Sequence, residues 1–248
     1  MKHRSRILQK EQKTLEGFFG KKFVDIPDLP SWVTDELIEH WEENLFFVHY
    51  LPDISLEHHL ELPAWKDRPA KIFYQKIKEG KLHPKAKSLP GKWILLDGRD
   101  KPEQKVFWIS ALDAKVIKKF VADPRDHIRK WSSQKHGKEY LKDELGKRGF
   151  GSRYCLTPSD IHELKPFILK FLKIDPKQKI RLPYFIEFNY LGNAAYPQWR
   201  KTKTWEWFED KMTDNCHLAS GSKSVGIIGW DPTDHWSTIL GFRVVIEL

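Results

Sequence analysis

Cysteine is nearly absent: the 248 residues hold two, Cys155 and Cys216, far apart and outside any C-x-x-C pattern. That excludes a disulfide-stapled scaffold and a zinc ribbon, and it fits a reducing compartment. Also missing is any apolar run near the roughly 18 residues that a membrane-spanning helix needs. The opening MKHRSRILQKEQK has positive charge with no apolar stretch behind it, so no secretory leader is expected and the chain should be cytoplasmic at synthesis. No Gly-rich phosphate loop and no G-x-S-x-G elbow occurs, which leaves nucleotide hydrolysis and serine-hydrolase chemistry without a motif. Internal repeats and low-complexity tracts are absent as well.

Bulk and positive charge are what the sequence has in quantity. Eleven Trp, 15 Phe and 7 Tyr bring aromatics to 13% and apolar residues to 40%, ample for a folded core and contrary to the composition of disordered chains. Lys and Arg number 43 against 34 Asp and Glu, a net charge of +9 that attracts polyanions without choosing among them. Basic stretches at the N-terminus and over Lys165 to Lys179, with aromatics nearby for stacking, make nucleic-acid binding the alternative function, although no helix-turn-helix, RNP or zinc-finger signature backs it.

Along the chain, the basic stretch to Lys22 is expected to be a frayed helix or solvated arm. Thr34 caps a predicted helix reaching about Phe47, with Leu37, Ile38, Trp41 and Leu45 on its apolar face. From LPDISLEHHLELPAW to Tyr74 the Pro- and Trp-rich composition predicts an irregular wrap. The adjacent His58 and His59 point in different directions in either a helix or a strand, so no metal site is expected there. Trp93 to Leu96 reads as a strand and Asp97-Gly98 as a hairpin turn, with VFWISAL as the returning strand or the entry to a helix over Leu112 to Val121. The polar stretch from Pro124 to Lys147 marks the seam between an N-terminal region, 1–148, and the rest. Thr157, Pro158 and Asp160 announce a capped helix whose face is Ile161, Leu164, Ile168 and Phe171, and Pro166 is expected to kink or split it.

Four segments then follow in order: IRLPYFIEFNYLGN, TWEWFED, LASGSKSVGIIGWD and LGFRVVIEL. Each alone is weak, but their order and spacing resemble the formylglycine-generating-enzyme (sulfatase-modifying-factor) family, a branch of the C-type-lectin-like fold. Arg181, Leu182 and Pro183 are similar to its R-L-P, and Glu187, Phe188 and Tyr190 to the helix after it. Trp205, Glu206, Trp207 and Asp210 are similar to its N-V-W-E-W stretch, Ser220 to Ser222 to its G-G-S, and Gly241, Phe242 and Arg243 to its closing G-F-R. The resemblance spans roughly the last 70 residues and none of the N-terminal half.

This resemblance implies an α+β protein with a C-type-lectin-like domain over 149–248, against which the N-terminal helical and hairpin region packs or which it completes. So loop-rich a fold has to be held by tryptophans and buried charge-assisted hydrogen bonds. Arg181, Glu187, Trp205, Glu206, Trp207, Gly241, Phe242 and Arg243 are therefore core candidates. Trp205 and Trp207 are expected to alternate in and out of an extended segment, with Glu206, Glu187 or Asp210 receiving Arg181 or Arg243.

Oxidase members of the family bind copper through a cysteine pair shortly before the closing G-F-R, and no cysteine lies between Gly221 and Gly241 here. Oxidase activity is therefore not implied, and no catalytic residue, cofactor or metal is expected. Residues 221–240, GSKSVGIIGWDPTDHWSTIL, instead mix aromatic anchors with small polar side chains, as in binding loops. Ser222, Lys223, Trp230, Asp231, Asp234, His235 and Trp236 are the expected ligand-binding residues of a noncatalytic protein, its partner a protein or glycan. The same closing pattern occurs in the lectin-like variable proteins of diversity-generating retroelements, which implies a sharper version in which residues 217–240 are diversified.

Overall fold

The computed structural model describes residues 2–20, 26–59, 61–99, 157–201, 204–221, 224–233 and 240–248. Of the two expectations for the N-terminus, frayed helix or solvated arm, the helix holds but is not solvated: α1, Lys2–Phe19, buries Ile7, Glu11, Leu15, Phe18 and Phe19. These recur four and three residues apart, so they form one stripe while Lys10 and Lys13 face outward. Arg4 fastens the helix to the following loop, donating to the carbonyls of Leu29, Pro30 and Val33.

In α2, Asp35–Glu43, the Thr34 hydroxyl accepts from the Leu37 amide at 3.3 Å, and Ile38 and Trp41 are buried. The helix stops short of the expected Phe47. Leu45 turns left-handed at φ 62°, and from Phe46 the chain pairs in a sheet. β1, Phe46–Ser55, runs antiparallel to β2, Ser88–Asp97, from Phe46↔Asp97 to Ser55↔Ser88. The expected wrap thus begins as strand and ends as helix α3, Lys71–Lys78, with only its middle irregular. Asp97-Gly98 is not a hairpin turn, because the Gly98 amide donates to Leu45 and extends the ladder with the preceding strand. VFWISAL, the helix over 112–121 and the 148/149 boundary lie outside the described residues.

After α4, Pro158–Phe171, which continues through Pro166 rather than splitting there, comes the short β3, Ile180–Arg181. Next is α5, Phe185–Ala194, eight of whose ten residues are buried. A helix apolar all round has to be covered on every side. α5 is covered by α1, β2, and two strands of a second sheet, β4, Trp205–Thr213, and β5, Cys216–Ser220. That sheet is completed by β6, Ile228–Pro232, and β7, Leu240–Gly241, in the order β6-β5-β4-β7, with β7 parallel to β4 and the other pairs antiparallel.

The final strand, β8, Val245–Glu247, inserts between β2 and β3 to give the antiparallel order β1-β2-β8-β3. The N-terminal hairpin and the C-terminal strand therefore form one sheet. As a central strand β8 is buried on both faces: Val245 and Ile246, and Val244 just before them, are all inaccessible. TWEWFED departs from its expected pattern. Trp205 and Trp207, two residues apart, share one face of β4, with Glu206 on the other, and Glu206 and Trp207 are both fully buried. Among the described residues no helix is long and apolar enough to cross a membrane.

Candidate binding surface

Two buried ion pairs fix the frame beneath the C-terminal loops. Arg181, at the end of β3, places its guanidinium 2.7 and 2.8 Å from the two carboxylate oxygens of Glu187 in the first turn of α5. Glu187 also accepts from the Tyr184 amide at 2.9 Å, closing the helix start. Burial alone would lower the Arg181 pKa, but Glu187, and then Glu247, hold it above its ordinary value. The second pair joins Arg243 to Glu206, with Arg243 stacked 3.7 Å above the ring of Trp199. Trp199 in turn stacks on Tyr196 at 4.2 Å and on Phe188 at 5.2 Å. Gly241 pairs with Glu206 across β7 and β4, and Phe242 is buried. Asp210 takes neither arginine. Its carboxylate accepts from the Phe185 amide at 2.6 Å, and burial pushes its pKa up to about 7.

On this frame sits the turn before β6. Asn189, in the buried middle of α5, accepts from the Trp65 indole at 2.9 Å and donates to the carbonyls of Asp67 at 2.9 Å and Val225 at 2.8 Å. Asp67 then takes the Ser224 hydroxyl at 2.7 Å and the Val225 amide at 2.6 Å. Asn193 brackets Asp67 from the next helical turn, accepting from its amide and donating to its carbonyl. The fit is close: a Cβ on Gly226 would lie 2.0 Å from the Arg68 carbonyl oxygen, and one on Gly192 2.8 Å from Val225.

What this anchored turn presents is apolar. Ile227, 46% accessible, and Trp230, 47%, are the exposed large apolar side chains among the described residues. Trp230 pairs with Leu218 and so shares its face of the sheet, while Gly229 faces the other way, where its missing side chain leaves room for the Trp205 ring at 3.0 Å. Asp231 is half-buried opposite His217, whose Nδ1 lies 2.7 Å from the Phe208 carbonyl and whose pKa burial lowers.

Of the expected ligand-binding residues, Trp230 and Asp231 thus lie together on β6; Ser222, Lys223, Asp234, His235 and Trp236 lie outside the described residues. Sequence reasoning passed over Ile227, Asp67, Asn189 and Asn193. The two asparagines carried a signal, since polar amides one turn apart inside FIEFNYLGNA must find partners if the helix is buried. Asp67 carried none, being 122 residues from Asn189. Among the described residues no group of three or more His, Cys, Asp or Glu side chains is placed to hold a metal ion. No protein-family model, curated protein or solved structure matches the chain.

Proposed function

We propose that this protein is a noncatalytic recognition protein of C-type-lectin-like architecture, and that its ligand docks against β6 and the turn before it. The observation that carries this is the pairing of exposure with anchorage. Ile227 and Trp230 offer apolar surface to solvent from a segment whose neighbours, Ser224 to Gly226, are tied to α5 and the Asp67 loop. Exposed apolar side chains on a rigid support are what binding surfaces use, because little conformational freedom is lost on docking.

Support for the architecture comes from two pairings among the resembling segments: R-L-P with Glu187 six residues on, and W-E-W with the distant closing G-F-R. An aromatic alone suits a sugar face as well as a peptide. An isoleucine beside it and a strand that ends its sheet among the described residues favour a protein ligand, with a glycan as the competing outcome. Packing confines where diversification can act. Among the described residues His217 to Ser220 and Ser224 to Gly226 are buried, which leaves exposed positions such as 227, 230 and 232 open to change.

The test is affinity screening of the whole chain against protein and glycan arrays beside the Ile227→Ala/Trp230→Ala variant. Loss of binding with unchanged circular dichroism supports the proposal, and unchanged binding refutes it. One observation favours nucleic acid as a second reading: Arg6, Lys10 and Lys13 of α1 line a shallow depression of about 460 Å³. A steep fall of oligonucleotide affinity with salt, abolished by Lys10→Glu/Lys13→Glu, would promote it.

A further inference from the structure

Building on the recognition surface just proposed, we infer that its ligand is a polypeptide in extended conformation that adds to the outer edge of β6 as a further strand. The phase of the hairpin fixes which backbone groups of β6 face away from β5. The Thr233 amide donates to the Asn215 carbonyl at 2.7 Å, one pair beyond Cys216↔Pro232 in the same register. Hydrogen-bonded and non-hydrogen-bonded pairs alternate along an antiparallel ladder. His217↔Asp231 and Ala219↔Gly229 are therefore the bonded pairs, while Leu218↔Trp230 and Ser220↔Ile228 are not. The amides and carbonyls of Ile228 and Trp230 consequently point away from β5, to the side where, among the described residues, no strand pairs with β6. They repeat at about 6.8 Å, two residues of strand, which is the spacing an extended chain presents in return.

Protected edges look different. On the other sheet the edge strand β1 is closed by α1, whose Glu11 accepts the Tyr50 amide at 3.1 Å. Folded proteins also blunt open edges with lysines or inward charges. IGWDP has no lysine and puts exposed Trp230 at its centre. Pro232 occupies the next outward-facing position and, having no N–H, ends the row after Trp230. The edge thus offers a short ladder beside an apolar anchor, the combination by which strand-adding domains bind peptides: backbone bonds for affinity, one side-chain contact for selectivity.

The experiment pans a random dodecapeptide display library on the whole chain, then measures the best synthetic peptide by calorimetry together with a series N-methylated at each position in turn. N-methylation removes one amide donor, worth about tenfold in affinity. The expected result is a loss of that size at alternate positions, little change between them, and a comparable loss on Trp230→Ala. Uniform affinities across the series, or no enriched peptide, would overturn strand addition. If Trp230→Ala still weakened a selected peptide that was indifferent to methylation, the recognition surface would stand without the added strand. If Ile227→Ala/Trp230→Ala left binding intact, both would fall. The methylation series uses wild-type protein, so its outcome is independent of whether any variant folds.

Discussion

Arg243 and Glu206, 37 residues apart and both fully buried, face each other as a bidentate pair, the Arg243 Nη2 lying 2.6 Å from Oε1 and Nε bonding Oε2. Arg243 Nη1 also donates to the Asp97 carbonyl, so the pair joins the end of β2 to β4 and the closing segment. Removing one partner strands a charge in a dry interior. Arg243→Met and Glu206→Leu should each destabilise the fold by about 3–5 kcal/mol, and the double variant Glu206→Leu/Arg243→Met by much less than the two single changes combined. Urea unfolding of the four proteins measures the coupling; single variants within about 1 kcal/mol of wild type would mean that the pair is not holding these segments together.

Stability should peak in mildly acidic solution. The folded Asp210 pKa of about 7 lies above its ordinary 3.8, so the folded state keeps a proton that the unfolded state releases. Between those values stability falls as pH rises, by up to about 1.4 kcal/mol per pH unit. Glu247 acts in the opposite sense. Burial alone would raise its pKa, but hydrogen bonds from Lys92, Arg181 and Lys179 outweigh that and hold it at about 2, below the ordinary 4.5. Its contribution is present above pH 4.5 and lost as pH falls toward 2. Denaturation at pH 3, 5 and 7 should show the maximum at 5, and Asp210→Asn should flatten the limb between 5 and 7 while leaving the acid limb.

How much of this was legible depends on whether a residue's partner is local. The Thr34 cap is local and was read from a short string. The box from Tyr184 to Glu187, equally local, has a tyrosine where the usual signature has Ser, Thr, Asp or Asn and so went unread. Arg181 and Arg243 were recognisable as buried cations needing carboxylates, but which acid each takes is set by sheet topology, and Asp210 was free to go to a helix amide instead. The helical spacing of Ile7, Glu11, Leu15 and Phe18 was visible too, yet a glutamate in the apolar stripe and seven surrounding basic residues to Lys22 disguised it. Trp93 to Leu96 was legible as the core of β2, but β1 was misjudged because pairing partners override local composition: LPDIS reads as loop until a strand some 40 residues later aligns with it.

That glutamate predicts the next result. Glu11 Oε1 lies 3.0 Å from His49 Nδ1, and His49 Nε2 lies 2.7 Å from the Tyr196 hydroxyl, all three side chains being buried. His49 therefore links α1 to the strand and to the turn after α5 at once. His49→Ala should remove the imidazole that Glu11 Oε1 and the Tyr196 hydroxyl share, while Glu11 Oε2 keeps the Tyr50 amide, and destabilise the protein by about 1–3 kcal/mol. Hydrogen exchange should show the amides of α1 opening before those of β4. Unchanged protection in α1 would show that its apolar stripe suffices to dock it.

Asn189 offers the sharpest separation of scaffold from surface, because its amide serves Trp65, Asp67 and Val225 together. Asn189→Leu is close in volume but takes the side-chain partner from the Trp65 indole N–H and the Val225 carbonyl in the interior, at about 1–3 kcal/mol for each group that stays buried, while the Asp67 carbonyl keeps Asn193. Those groups belong to the Asp67 loop and the turn before β6, not to the ion-paired frame of Arg181 and Arg243. Exchange should therefore quicken over 224–231 while β8 keeps its protection, and ligand affinity should fall with Trp230 itself unaltered. Gly226→Ala should act at the same place by another cause, since its methyl carbon would meet the Arg68 carbonyl at 2.0 Å and force the turn outward. If both variants instead lowered protection evenly across β8 and β4, the turn would be part of the global folding unit and its rigidity could not be tuned apart from the core.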